Sequence, residues 1–177
     1  YGFGAKYSNP ATLPTGDGQG VAWNPAGTDI AVAHFDTPFI SVYPWSAGFG
    51  TKYADPATLP TGNGNGVVWN PAGTDIAVVD SGTIFIQVYP WSAGFGTKYA
   101  DPGTLVPNIA LGVAWNPAGT DIAVAHFTTP FISVYPWSAG FGAKYSNPAT
   151  LPTGDGIRVD FRTGGADIAV AHQGAPA

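Results

Sequence analysis

Short apolar runs separated by Gly- and Pro-containing turns recur along the whole chain, and no capped stretch shows an apolar period of 3.6 residues. In the first cycle Val21-Ala22-Trp23 is ended by Asn24-Pro25-Ala26-Gly27. Pro at the second turn position and Gly at the fourth suit a type I hairpin connection. Asp29 to His34 reads as a second strand. Phe39 to Tyr43, β-branched and aromatic, reads as a third and is closed by Pro44. Phe49 to Tyr53 reads as a shorter fourth. The pattern predicts strands throughout and essentially no helix.

The cycle then returns at a fixed interval. Trp23, Trp69, Trp115 and Phe161 are spaced by 46 residues, as are Lys6, Lys52, Lys98 and Lys144. Gly2 to Gly18 is identical to Gly140 to Gly156. The repeats run over 1–46, 47–92, 93–138 and 139–177, the last one incomplete, within a single domain. Gly (25) and Pro (17) are numerous enough to suggest low complexity, but they fall at constant positions and therefore punctuate folded units.

Four strands in a repeat of about 40–45 residues is the pattern of a β-propeller blade. Val21 to Gly27 resembles the first strand and Ser-Pro-Asp-Gly turn of the WD40 family. Ile30 to His34 is similar to that family's second strand, and Ile40 to Trp45 to its third. Tyr-Pro-Trp stands where the family has Trp-Asp, and the family's Gly-His pair is absent. The near-identical repeats also resemble recently amplified phage or bacterial propellers and symmetric engineered ones. The resemblance implies an all-β propeller whose N-terminal strand, Phe3 to Tyr7, closes the last blade as its outer edge.

Side-chain size bears on blade number. Gly20, Ala22, Ala31 and Ala33 on the inner strands allow blades to lie closely parallel, which favours more than four in a ring. The expectation is a homodimer in which two chains of four repeats give eight blades; a closed four-bladed monomer is the alternative.

Composition narrows the functional classes. With 14% aromatic and only 10% charged residues, the 177-residue chain can bury a core and is no disordered acidic tail, despite a net charge of -5. Six dispersed basic residues do not make a nucleic-acid footprint. No apolar run approaches the ~20 residues of a membrane span, and no signal-peptide pattern is visible. Absence of Cys removes disulfides and thiolate zinc sites.

Two sets of residues are candidates for binding. His34, His126 and His172 share a register in which Asp80 fills the second unit. In a propeller this register would form a ring near the channel mouth, able to hold a metal or an anion. The competing reading has each His bonded to a neighbouring loop, and no metal is assigned. Trp45, Trp91 and Trp137 lie where the third strand turns into the fourth. They would stack on sugar rings in a multivalent glycan-binding protein, or else pack between blades.

The remaining repeated polar groups have structural readings. Asp29, Asp75, Asp121 and Asp167 follow the hairpin turn and are expected to accept backbone N–H bonds there. The four Lys positions guard the outer edge against pairing. The Gly-rich loops at 16–20 and 62–66 lack a Gly-Lys-Ser/Thr ending and a following helix, so they are not phosphate loops. No linear signature of a catalytic site is present. The expected function is a non-enzymatic scaffold or binding module without a cofactor, taking a protein or glycan ligand on equivalent loops.

Overall fold

The computed structural model describes residues 2–165 and 167–174. These form eleven strands and no helix. Blade 1 contains β1 (Gly18–Trp23), β2 (Asp29–His34) and β3 (Ile40–Pro44), and blade 2 contains β4 (Gly64–Trp69), β5 (Asp75–Asp80) and β6 (Ile86–Pro90). Blade 3 contains β7 (Ala110–Trp115), β8 (Asp121–His126) and β9 (Ile132–Pro136). Blade 4 holds two strands, β10 (Asp155–Phe161) and β11 (Ile168–Gln173). Within each sheet the strands follow chain order and pair antiparallel. The end of the fourth repeat, residues 175–177, lies outside the described residues.

Local chemistry accounts for the hairpins. The Gly27 N–H donates to the Asn24 carbonyl at 2.9 Å, and Gly27 takes φ 70°, a left-handed backbone open to glycine without a Cβ penalty. Gly73 and Gly119 repeat this geometry. Each inner strand carries a bulge, falling between Gly18 and Gly20 in blade 1 and at equivalent places in the others. A bulge bends its strand and increases the local twist.

The predicted fourth strand is not a regular strand. In blade 1 it is reduced to a bridge between Trp45 and Phe49 and two single bonds. The Gly50 N–H donates to Pro44 O at 2.8 Å, and the Tyr53 N–H to Val42 O at 2.9 Å. Pro44 has no N–H to return, and Ala47 (φ 54°) and Gly48 (φ 154°) turn the chain sharply before it runs back. This prevents a continuous ladder.

Successive blades stack through their inner strands, β1 on β4, β4 on β7 and β7 on β10. Gly64 is needed for this approach, because a Cβ there would lie 2.3 Å from the Phe39 carbonyl oxygen of blade 1. Gly64→Ala is expected to cost about 1–3 kcal/mol through overpacking. Gly103→Ala, which would meet nothing within 4 Å, should stay within about 0.5 kcal/mol of the parent. Urea unfolding of both variants checks the contrast.

Apolar clusters fill the junctions between consecutive blades, with Tyr43, Tyr89 and Tyr135 wholly buried. The two ends of the series are different. Val67 and Trp69 of blade 2 are 8% and 5% exposed, whereas the equivalent Val21 and Trp23 of blade 1 are 64% and 48% exposed. Among the described residues neither β10 nor β11 packs on β1 as consecutive blades pack. One chain therefore forms an open arc of four blades, not the closed four-bladed ring considered from sequence. Its N-terminal segment does not close blade 4 of the same chain. Tyr7 instead lies against Trp45 of blade 1, with ring centroids 5.0 Å apart, and Phe3 is fully exposed. Blade 4 stands at the other end of the arc.

Candidate functional site

The imidazoles of His34 and His126 end their strands fully buried, each with Nε2 3.0 Å from a serine hydroxyl on the next strand, Ser41 and Ser133 respectively. In blade 2 both members of the pair change. Asp80 replaces the His and Gln87 the Ser, and the carboxylate accepts the N–H groups of Thr61 and Gly82 at 2.9 Å each. The Thr61 hydroxyl also reaches Asp80 at 3.3 Å and accepts from Gln87 Nε2 at 3.2 Å. The expected ring of His34, Asp80, His126 and His172 at the channel mouth is not assembled. Three of the four groups are enclosed in their own blades, while His172 is exposed on β11. Among the described residues no three His, Asp or Glu side chains are grouped to hold a metal. Burial lowers the pKa of His34 and pushes that of His126 down to about 4, because a charged imidazole there would lose its hydration. The same desolvation raises the Asp80 pKa, with the Gly82 and Thr61 N–H groups acting in the opposite direction.

The turn-borne indoles pack between blades. Trp91 and Trp137 are 8% and 6% exposed. Trp91 meets Tyr53 and Trp69 at 5.0 Å and Phe95 at 5.1 Å, all edge to face. Trp137 has the same surroundings in Tyr99, Trp115 and Phe141. Neither has a face free to stack on a sugar. Trp45 is half-buried between Tyr7, Trp23 and Phe49.

The turn carboxylates also differ from expectation, since their partners are side chains. Asp29 accepts from Asn24 Nδ2 at 2.7 Å and from the Tyr53 hydroxyl at 2.8 Å. Asn24 Oδ1, not the carboxylate, takes the backbone N–H groups of Thr28 (2.8 Å) and Asp29 (3.1 Å). Blades 2 and 3 repeat the arrangement with Asn70, Asp75 and Tyr99, then Asn116, Asp121 and Tyr145. In blade 4 Arg162 stands in the Asn position and pairs with Asp167 at 2.7 Å, both side chains exposed.

A broad concavity lies at the blade 4 end of the arc. A cleft of about 650 Å³ lies between β9, the segment 144–152 and the β10–β11 hairpin, with Tyr145, Thr150, Phe161, Val170 and His172 on its walls. No motif in the sequence marks this cleft. Its signal was present in the repeat, because the fourth unit supplies two inner strands without the third. A smaller hollow along the inner strands is crossed by bonds between blades, with Asn65 Nδ2 on Ala110 O at 2.9 Å and Arg158 Nη1 on Leu111 O at 3.0 Å.

No protein-family model and no curated protein matches the chain. Its fold recurs in 644 solved chains, too many for the likeness to select a function. One is a chain in the crystal structure of the mitotic checkpoint complex, with a TM-score of 0.62 at 18% identity. The match covers 88% of this chain and 47% of that one, so the chain spans about half the length of its structural counterpart. The architecture is an all-β propeller arrangement.

Proposed function

We propose that the protein is a non-enzymatic propeller scaffold or binding module, and that two copies complete an eight-bladed ring. The bare face of blade 1 carries this reading. Val21 and Trp23 present to solvent the surface that is covered at Val67 and Trp69. Tyr7 adds support, because it holds Trp45 at 5.0 Å as Tyr53 holds Trp91 at 5.0 Å. It thus takes the place of the outer segment of a preceding blade. By the repeat, its hydroxyl would meet Asp167 of a second copy. A two-fold ring uses both arc ends of each chain and leaves no bare blade face. The scaffold reading is further supported by His34, Asp80 and His126, which are buried in their blades, with the imidazole Nε2 atoms and the carboxylate bonded there. Ligand contacts would then fall on the repeated turns at Ser46-Ala47-Gly48 and their equivalents, which a complete ring presents many times over.

Native mass decides this. Light scattering on untagged protein over a dilution series is expected to give about 36 kDa, twice the 18.1 kDa of one chain. Trp23→Asp should return the mass to that of a single chain. A parent that stays at 18.1 kDa up to the highest concentration would overturn the reading.

A further inference from the structure

We propose that Asn63 is a site of spontaneous covalent modification, where solvent water converts the side-chain amide to a carboxylate through a cyclic imide with Gly64. The site lies in blade 2, which is covered by blade 1 on one side and by blade 3 on the other.

The reaction needs an asparagine whose Cγ can be reached by the main-chain nitrogen of the next residue. Proline has no N–H to give up, which removes Asn9, Asn24, Asn70, Asn116 and Asn147, each followed by Pro. Asn108 precedes the β-branched Ile109 and is tied at both ends. Its Oδ1 accepts the Ile109 N–H at 2.7 Å, and its Nδ2 donates to the Thr128 hydroxyl at 2.7 Å. Two Asn-Gly pairs remain, in which the missing Cβ leaves the attacking nitrogen uncrowded. Asn65 lies inside β4, half-buried, with Nδ2 on Ala110 O at 2.9 Å. Asn63 precedes β4, is exposed, and has a side chain that no described residue bonds.

At Asn63 the Gly64 nitrogen loses its proton to solvent and bonds Cγ. The Cγ–Nδ2 bond breaks, and Nδ2 leaves as ammonia with a proton taken from solvent. One water molecule then opens the imide. Water added at the side-chain carbonyl restores the main chain and leaves aspartate. Water added at the main-chain carbonyl leaves isoaspartate, in which the chain runs through Cβ and is one atom longer. Either product adds a negative charge to a chain whose net charge is -5.

The repeat indicates which product the fold accepts. Asp17 and Asp155 hold the position of Asn63 in blades 1 and 4, each before a glycine. The Phe35 N–H donates to Asp17 O at 3.2 Å, as the Ser81 N–H does to Asn63 O at 3.1 Å, so aspartate keeps this pairing. The isoaspartyl chain does not fit. Gly64 pairs with Asp80, and a Cβ on it would lie 2.3 Å from Phe39 O and 3.2 Å from His34 N of blade 1. An extra main-chain atom just before Gly64 pushes it against that wall or out of register with Asp80, whose carboxylate is held by the Thr61 and Gly82 N–H groups.

The full-length protein and a synthetic peptide of the sequence from Thr61 to Val67 are incubated side by side in mildly alkaline buffer until the peptide has converted. Anion exchange separates products by their added charge, and fragmentation mass spectrometry locates them. The protein is expected to change at Asn63 and to keep Asn65 and Asn108, whereas the unfolded peptide changes at both of its Asn-Gly pairs. Asn63→Gln, whose longer side chain closes the ring poorly, should lose the charge shift. Asn63→Asp should keep the parent urea midpoint, and the isoaspartyl fraction should unfold at lower urea. A protein still intact at Asn63 once the peptide has converted overturns the proposal, as does conversion at Asn65 or Asn108 ahead of Asn63. An isoaspartyl fraction as stable as the parent overturns the effect assigned to the junction of blades 1 and 2.

Discussion

Trp91→Ala is expected to destabilise the protein by about 3–5 kcal/mol, the range for removing a buried large aromatic side chain. The indole joins two blades. On one side it meets Tyr53, whose backbone bonds β3 of blade 1 and whose hydroxyl bonds Asp29; on the other it meets Trp69 of its own inner strand. Removing it leaves a cavity walled by three rings that cannot all move inward, since Tyr53 is held by both of those bonds. Edge-to-face contacts of about 5 Å add to the loss beyond simple area burial. Trp45→Ala, at the half-buried end position, should cost clearly less. Urea midpoints of the two variants test the ranking, and a Trp45 variant at least as damaged as the Trp91 variant would contradict it.

Acidification is expected to weaken the fold through the buried histidines. In the folded protein His126 keeps its neutral form down to about pH 4, and burial shifts His34 in the same direction. The unfolded chain takes up these protons near the ordinary histidine value of 6.5. Between pH 6.5 and about 4 the unfolded state therefore holds more protons, and stability falls with pH. The contribution is fully present above 6.5 and is lost on the way to 4, amounting to on the order of 2–3 kcal/mol for His126. Asp80 acts with the opposite sign. Its raised pKa means that the folded state holds the extra proton just above the ordinary value of 3.8, so stability there rises as pH falls and offsets part of the histidine loss. Urea midpoints at pH 7.5 and 4.5 should differ clearly in the parent and less in His126→Gln, which has a lower plateau but one fewer titrating group. Identical parent midpoints at the two pH values would contradict this account.

The paired change in blade 2 explains why the buried polar position is tolerated in two chemistries. The Nε2 of each buried His meets one hydroxyl, of Ser41 or Ser133, while Nδ1 has no partner among the described residues. A carboxylate needs donors, and the Thr61 and Gly82 N–H groups supply them, with Gln87 stabilising the Thr61 hydroxyl. The matched substitution seven residues downstream was visible in the sequence at Ser41, Gln87 and Ser133. Its meaning emerges only when the two strands are placed side by side.

Residue order by itself determined the blade. Alternation at Ile30, Val32 and His34, the Asn-Pro-Ala-Gly turn and the 46-residue interval are short-range properties, and strand pairing within a hairpin follows directly from them. The aromatic equivalence of Trp23 and Phe161 likewise indicated a packing role. The outer segment at 49–53 is irregular although its residue preference suits a strand, because the missing N–H of Pro44 and the turn at Ala47-Gly48 interrupt the ladder. Tertiary structure alone decided which way the repeated side chains face. His34 recurs as His126 and His172, and Trp91 as Trp45 and Trp137; periodicity states that the members of each set are equivalent without stating what lies opposite. That is set by the twist of each sheet and by the blade beside it. The same cause separates the covered Val67 from the bare Val21: one motif has different surroundings at the middle and at the ends of an arc.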